Sequence, residues 1–213
     1  MCGRYVLYGP DSRLIEAFDL RELPPLLPRY NITPGAQILI VREGAHGRQA
    51  ETVRWGLKRN GTVANLRDDS AGKPWAWPLL HARCVIPANG FYEWQPASAG
   101  VARKQPFYIA PASGDFFAFA GAVGKWDDMG AALFTTGPNA TMRPIHDRMP
   151  VLLDRTAIAA WLDPHTPTVD AVHLLRPAPD SAIRAWPVSH AVNDAHHEGP
   201  QLIEPLHGDQ RPR

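Results

Sequence analysis

Residues 83–95, RCVIPANGFYEWQ, read as two short strands broken at Pro87–Gly90. In the second, strand alternation sends Phe91 and Glu93 to one face and Tyr92 and Trp94 to the other. A carboxylate in so apolar a run is costly unless it has a partner or a task. The plain alternative is a half-exposed strand residue. Working outward, GRYVLY (3–8), AQILIV (36–41), ETVRWGL (51–57), PFYIA (106–110), FFAFAGAV (116–123) and AALFTT (131–136) also read as strands. REGAHG (42–47) is read as the loop joining the second and third of these.

Helical patterns stand towards the edges. In DSRLIEAFDL (11–20) Leu14, Ile15 and Phe18 share a face and Asp11 is placed as the cap. DRTAIAAWLD (154–163) and TPTVDAVHLL (166–175) are helices, the second with Pro167 in its first turn. NLRDDSAGKPWAWP (65–78) reads as loop-rich, and IRAWPVSHAVND (183–194) and PQLIEP (200–205) as strand-like or irregular. Strands in the middle and helices at the edges predict an α+β fold, a barrel-like and largely antiparallel curved sheet with peripheral helices. A single domain over residues 1–213 is expected at this length.

With 22 Lys and Arg against 21 Asp and Glu, the net charge of +1 does not itself point to nucleic acid. Two cysteines, Cys2 and Cys84, make neither a disulfide scaffold nor a four-ligand metal site, and a reducing compartment fits them. No secretory leader pattern and no membrane span is read, so the expected location is the cytoplasm. The adjacent His196 and His197 lack ligands at a familiar spacing, so neither metal nor cofactor is expected.

Cys2 follows the initiator methionine, and removal of Met1 would leave a thiol and an α-amine two carbons apart. With ordinary pKa values near 7.7–8.0 and 8.5, both are partly nucleophilic at neutral pH. An aldehyde meets the amine as a Schiff base, and the thiol then closes a thiazolidine. Position alone also allows a buried, inert cysteine. His146 lies in a crowded polar run between Pro144 and Pro150, where a proton shuttle and a structural histidine are both open readings. Asn31, Thr33, Asn65 and Arg67 suit contacts to base edges, sugar and phosphate, although loops are rich in such residues. Trp55 suits stacking on a base or a place in the core. Cys84, in an apolar run, reads as packing.

Together, MCGRY (1–5), YNITPG (30–35), RWGL (54–57), Asn65-x-Arg67, RCVIPANGFYEW (83–94), TTGPNATMRPIHDRMPVLL (135–153) and PVSHAVND (187–194) resemble the SOS-response-associated peptidase family. The resemblance implies abasic-site processing through a covalent crosslink to single-stranded DNA. It implies that Cys2 is the nucleophile once Met1 is gone, with Asn65, Glu93 and His146 at the active site. It places Arg4, Arg67 and Arg148 near the DNA backbone or in the pocket, and Pro34 and Trp55 near the displaced strand. It further implies a protein that acts as a monomer, lies with the nucleoid when bound, exposes Cys2 by peptidase action and has weak lyase activity. A thiol peptidase and a noncovalent single-strand binder are the alternatives. Leu66-Arg67-Asp68-Asp69 departs from the family pattern by an added carboxylate, and WPLLHAR (77–83) is less basic than the family's usual run.

Overall fold

The computed structural model describes residues 2–58, 61–97, 103–125 and 129–206. Its strands are β1 (Tyr5–Leu7), β2 (Arg29–Ile32), β3 (Gln37–Gly44), β4 (Gly47–Trp55), β5 (Leu57–Lys58), β6 (Thr62–Val63), β7 (Asn65–Arg67), β8 (Arg83–Ala88), β9 (Gly90–Gln95), β10 (Gln105–Pro111), β11 (Phe117–Lys125), β12 (Met129–Thr136), β13 (Met149–Pro150) and β14 (Ile183–Pro187). The α-helices are α1 (Asp11–Phe18), α2 (Asp68–Ala71), α3 (Trp77–Leu80), α4 (Arg155–Leu162) and α5 (Thr168–His173).

One sheet runs β14-β10-β9-β1-β2 and is antiparallel throughout. A seven-stranded sheet runs β11-β8-β3-β4-β12-β13 with β7 on β12, a further β11–β12 pairing closes five of its strands into a ring, and β5 and β6 pair as a small third sheet. Most pairs of the seven-stranded sheet are antiparallel; β12 runs parallel to β4 and to β7. The result is the α+β, barrel-like fold expected, with the short helices outside the sheets.

The quoted stretch is the junction. β8 belongs to the ring and β9 to the other sheet, so the chain changes sheets at Asn89. The Asn89 side chain accepts from Tyr8 N at 2.8 Å and donates to Gly9 O at 3.2 Å and Asp115 O at 3.0 Å. Next to it, a Cβ on Gly90 would stand 2.4 Å from the Tyr108 hydroxyl and 2.5 Å from Ile109 O, so only glycine fits. Between the sheets Tyr5 meets Trp55 edge-on at 5.2 Å and Phe119 at 6.0 Å, and Phe91 also packs on Phe119.

Several local expectations are corrected. Residues 42–47 are mostly strand: β3 and β4 pair through Gly44 and Gly47, leaving Ala45 and His46 as the turn, with Gly47 at φ +103°. The 65–78 segment folds into β7, α2, a 3-10 turn at Pro74–Ala76 and the start of α3. Pro10 occupies the cap of α1, which puts Asp11 inside the first turn; Pro167 is likewise the cap residue of α5. Pro200–Ile203 is a 3-10 turn, not a strand. Asp154 does cap α4, accepting from Ala157 N at 2.8 Å.

Candidate active site

Cys2 lies just before β1 and is wholly buried, its thiol 3.9 Å from Arg4 O. Asn65, first residue of β7, donates from Nδ2 to Cys2 O at 2.9 Å. Pairing of β7 with β12 puts Leu133 opposite Asn65, so the ring sheet fixes where that amide points. Glu93 reaches the same place from β9, with only 2% of its surface exposed. Burial on that scale excludes the half-exposed alternative, and the strand alternation holds. Phe91 joins the main core, while Tyr92 and Trp94 pack in a second cluster on the opposite face.

His146 comes from the turn ahead of β13. Asn139 Oδ1 accepts from Met142 N at 2.9 Å, and His146 N donates to Met142 O at 2.8 Å, which winds the turn. Gln95 Nε2 donates to Pro144 O at 3.0 Å and ties this turn to β9. His146 Nε2 consequently stands 3.7 Å from Glu93 Oε2. Cys2, Asn65, Glu93 and His146, far apart in sequence, thus meet at one place.

Desolvation pushes the Glu93 carboxyl up to about 7, against the pull of the positive amino terminus. Burial, together with that terminal charge, lowers His146, against the opposing effect of Asp147. Each shift favours a neutral partner, so near pH 7 these groups form an acid–imidazole pair more than an ion pair. At Nδ1 the imidazole has two neighbours at 3.0 Å, the Arg148 N–H and Asp147 Oδ1. A nitrogen that accepts from Arg148 bears no proton, so the neutral ring carries its proton on Nε2, towards Glu93. A second proton, on Nδ1, exchanges the Arg148 bond for one to Asp147. Burial, and next the Glu93 charge, raise the Cys2 thiol far above its ordinary range, so it rests protonated.

Arg148 is almost enclosed: its Nη2 donates to Asp68 Oδ1 at 2.8 Å, to Thr135 O and to Thr135 Oγ1 at 3.2 Å. Asp68 also accepts from Thr136 Oγ1 at 2.7 Å. Arg67 is outside, 55% of its side chain exposed, with its guanidinium forked onto Asp69 at 3.1 and 2.7 Å. Arg4 donates to Asn31 Oδ1 at 2.7 Å and to the carbonyls of Val192 and Asn193, and its guanidinium lies over Trp94 at 5.9 Å. Pro34 is exposed on the turn between β2 and β3.

Burial decides two readings that the sequence leaves open. Trp55 is 0% exposed and donates from Nε1 to Ala64 O at 3.1 Å, so no ring face is open to a base. Asn31 is 1% exposed, and its amide donates to Val192 O, Asp194 O and His197 O. It holds the closing segment in place. Sequence reasoning missed Asp68, Thr135 and Thr136 as the frame around Arg148, and Gln95 as the link to the His146 turn. Only the crowding of polar residues at 65–70 and 135–148 signals the frame, and nothing local signals Gln95.

Among the described residues no three His, Cys, Asp or Glu side chains are grouped to hold a metal ion, and no helix is long and apolar enough to cross a membrane. His196 and His197 both face Asp194, at 3.1 and 3.6 Å. Cys84 is buried beside Gly121, its sulfur 3.0 Å from where a Cβ would stand.

The model of the SOS response associated peptidase (SRAP) family matches residues 1–195. Abasic site processing protein YoqW of Bacillus subtilis (strain 168) is 34% identical over 225 residues, covering 96% of this chain and 99% of its own. A solved structure of a protein from Bacteroides thetaiotaomicron superposes with a TM-score of 0.83 at 19% identity, covering 96% of this chain and 100% of its own. That likeness concerns the fold. A phage-related protein from Bordetella bronchiseptica gives a TM-score of 0.74 at 29% identity, covering 88% of this chain and 94% of its own.

Proposed function

This chain belongs to the SOS response associated peptidase family, and from that premise we propose that it processes abasic sites by crosslinking to them in single-stranded DNA. The observation that carries the reading is the convergence of Cys2, Asn65 and the Glu93–His146 pair from four separate segments. Removal of Met1 by hydrolysis converts the Cys2 nitrogen from an amide into an amine. The Asn65 amide, held on Cys2 O at 2.9 Å, keeps that residue in register with the pair.

His146 passes a proton between the sugar hydroxyl and ring oxygen as the closed abasic sugar opens to its aldehyde. The Cys2 amine adds to C1′ to give a carbinolamine. Glu93, its carboxyl raised by burial, protonates the departing hydroxyl, which leaves as water, and the carboxylate takes a proton back from the iminium nitrogen to leave the neutral imine. The thiol then adds across the imine: sulfur bonds to C1′ and the thiol proton passes to nitrogen. One water is lost overall and the product is a thiazolidine. A thiol held protonated until the imine forms is also poorly reactive towards oxidants, because the thiolate is the reactive form. The imine stage is where β-elimination, and so weak lyase action, branches off.

The test mixes the protein with an abasic single-stranded oligonucleotide and resolves the products on a denaturing gel. A retarded species with the mass of protein lacking Met1, plus DNA, minus one water, is expected. Cys2→Ala should abolish it. An equal yield from the Ala variant, or cleavage of peptides in trans with no DNA adduct, overturns the reading.

A further inference from the structure

The arginines that frame the site are held in different ways. Arg148 is embedded, its side chain 12% exposed, and is bonded to Asp68 and to two Thr135 oxygens. Those contacts hold its guanidinium on the protein's own acceptors. Arg67 and Asp69 are 55% and 56% exposed, two residues apart, and joined by a guanidinium–carboxylate fork with contacts of 3.1, 3.1 and 2.7 Å. An exposed pair like this adds little to stability. The fork, however, matches how a guanidinium grips two phosphate oxygens. Asp69 also accepts from Ser70 Oγ at 3.3 Å, and α2 starts at Asp68, so the carboxylate is carried on ordered backbone.

We propose that Asp69 is a specificity-determining residue that occupies the phosphate-binding fork of Arg67 until a DNA phosphate displaces it. The proposal rests on the reading of the chain as a binder of single-stranded DNA. Both carboxylate and phosphate want the same donors, so strand binding must break one charge-assisted pair to make another. The noncovalent grip on any strand is weakened. Undamaged DNA is then released quickly, and lasting retention depends on the covalent step, which only an abasic aldehyde supplies. Exposure at Arg67 makes the exchange fast, while Arg148, bonded to Asp68 and Thr135, takes no part in it.

The experiment is a double-mutant cycle on Arg67 and Asp69, read as fluorescence-anisotropy affinity for an intact single-stranded oligonucleotide over a range of salt. Asp69→Asn should bind tighter by about three- to fivefold, the scale of losing an exposed ion pair. Its salt slope should steepen by about one phosphate's worth. In the Arg67→Ala background the same substitution should change affinity less than about twofold. Equal affinity of Asp69→Asn and wild type overturns the proposal. A gain of full size without Arg67 overturns it as well, since Asp69 would then act only as a nearby negative charge. Wild-type protein that binds the intact strand but gives no adduct with an abasic one refutes the crosslinking function alone and leaves the cycle readable. Wild-type protein that binds no strand at any salt refutes both.

Discussion

Glu93 sits between aromatic neighbours on β9, 2% exposed, with a carboxyl pushed up to about 7. A carboxyl in the unfolded chain ionises near 4.3. Between that value and about 7 the unfolded state releases its proton while the folded state keeps it, so the contribution of Glu93 to stability is full at low pH and falls away as pH rises. The loss is on the order of 3 kcal/mol by pH 8, at about 1.4 kcal/mol per unit. Glu93→Gln removes it. Relative to wild type, the variant should gain thermal stability at pH 8 and gain almost none at pH 4, while its crosslinking falls. Calorimetric scans at the two pH values measure this, and an equal shift at both would show that Glu93 ionises normally. His146 is separable from it. If His146 serves ring opening, His146→Ala should slow single-turnover crosslinking to a natural abasic site by about 10²-fold, a scale usual for acid–base groups. It should slow reaction with a substrate locked as the open aldehyde far less. Glu93→Ala, acting on a step that both substrates share, should slow both alike. Equal slowing of both substrates by His146→Ala would make the imidazole an organiser of the pocket.

At the scale of elements, what is legible in the sequence is whatever has a local period. The alternation of Phe91 to Trp94 yields the face of Glu93, and the patterns at 11–20 and 154–163 yield α1 and α4. The two halves of 83–95 are legible as strands, but their assignment to different sheets is not, because that depends on partners distant in sequence. β8 takes β11 and β3, while β9 takes β10 and β1. Short elements in 65–78 escape for a related reason: α2 and α3 span four residues each, too few to show a helical period. The switch itself rests on Asn89, 3% exposed and bonded to three backbone groups from two other segments. Asn89→Ala would leave those groups without their side-chain partner, at a cost of about 2–3 kcal/mol. Chemical denaturation should show that loss as a lower midpoint with an unchanged slope. A loss under about 0.5 kcal/mol, the usual scatter of surface substitutions, would mean that strand pairing alone sets the crossing.

Across the whole molecule, the site depends on the last part of the chain, a dependence no single motif displays. The motif PVSHAVND is legible as a resemblance, but its place is not. It folds back so that Val192, Asp194 and His197 present carbonyls to the buried Asn31 amide at 3.3, 2.9 and 3.0 Å. Arg4 joins the same knot from two residues beyond Cys2, and Trp94, next to Glu93, donates to Asn193 Oδ1 at 2.7 Å. The closing segment therefore braces both the stretch that carries Cys2 and the strand that carries Glu93. Burial decides what the sequence leaves open at Trp55 and Asn31: it is a property of the assembled fold, and a polar or aromatic residue on a strand looks available until something covers it. Asn31→Ala tests the brace. Its three acceptors would turn to water, so the segment should open locally at a cost of about 1–3 kcal/mol. Limited proteolysis should then cut within residues 188–198 in the variant and not in wild type. Crosslinking should slow several-fold at about 37 °C, because Arg4 and Trp94 lose their common partner. Cooling to about 10 °C should shrink the deficit if the segment's closure is enthalpic, as expected when hydrogen bonds hold it. An unchanged digestion pattern together with a slowed reaction would mean that Asn31 acts through its Oδ1 bond to Arg4 and not through closure of the segment.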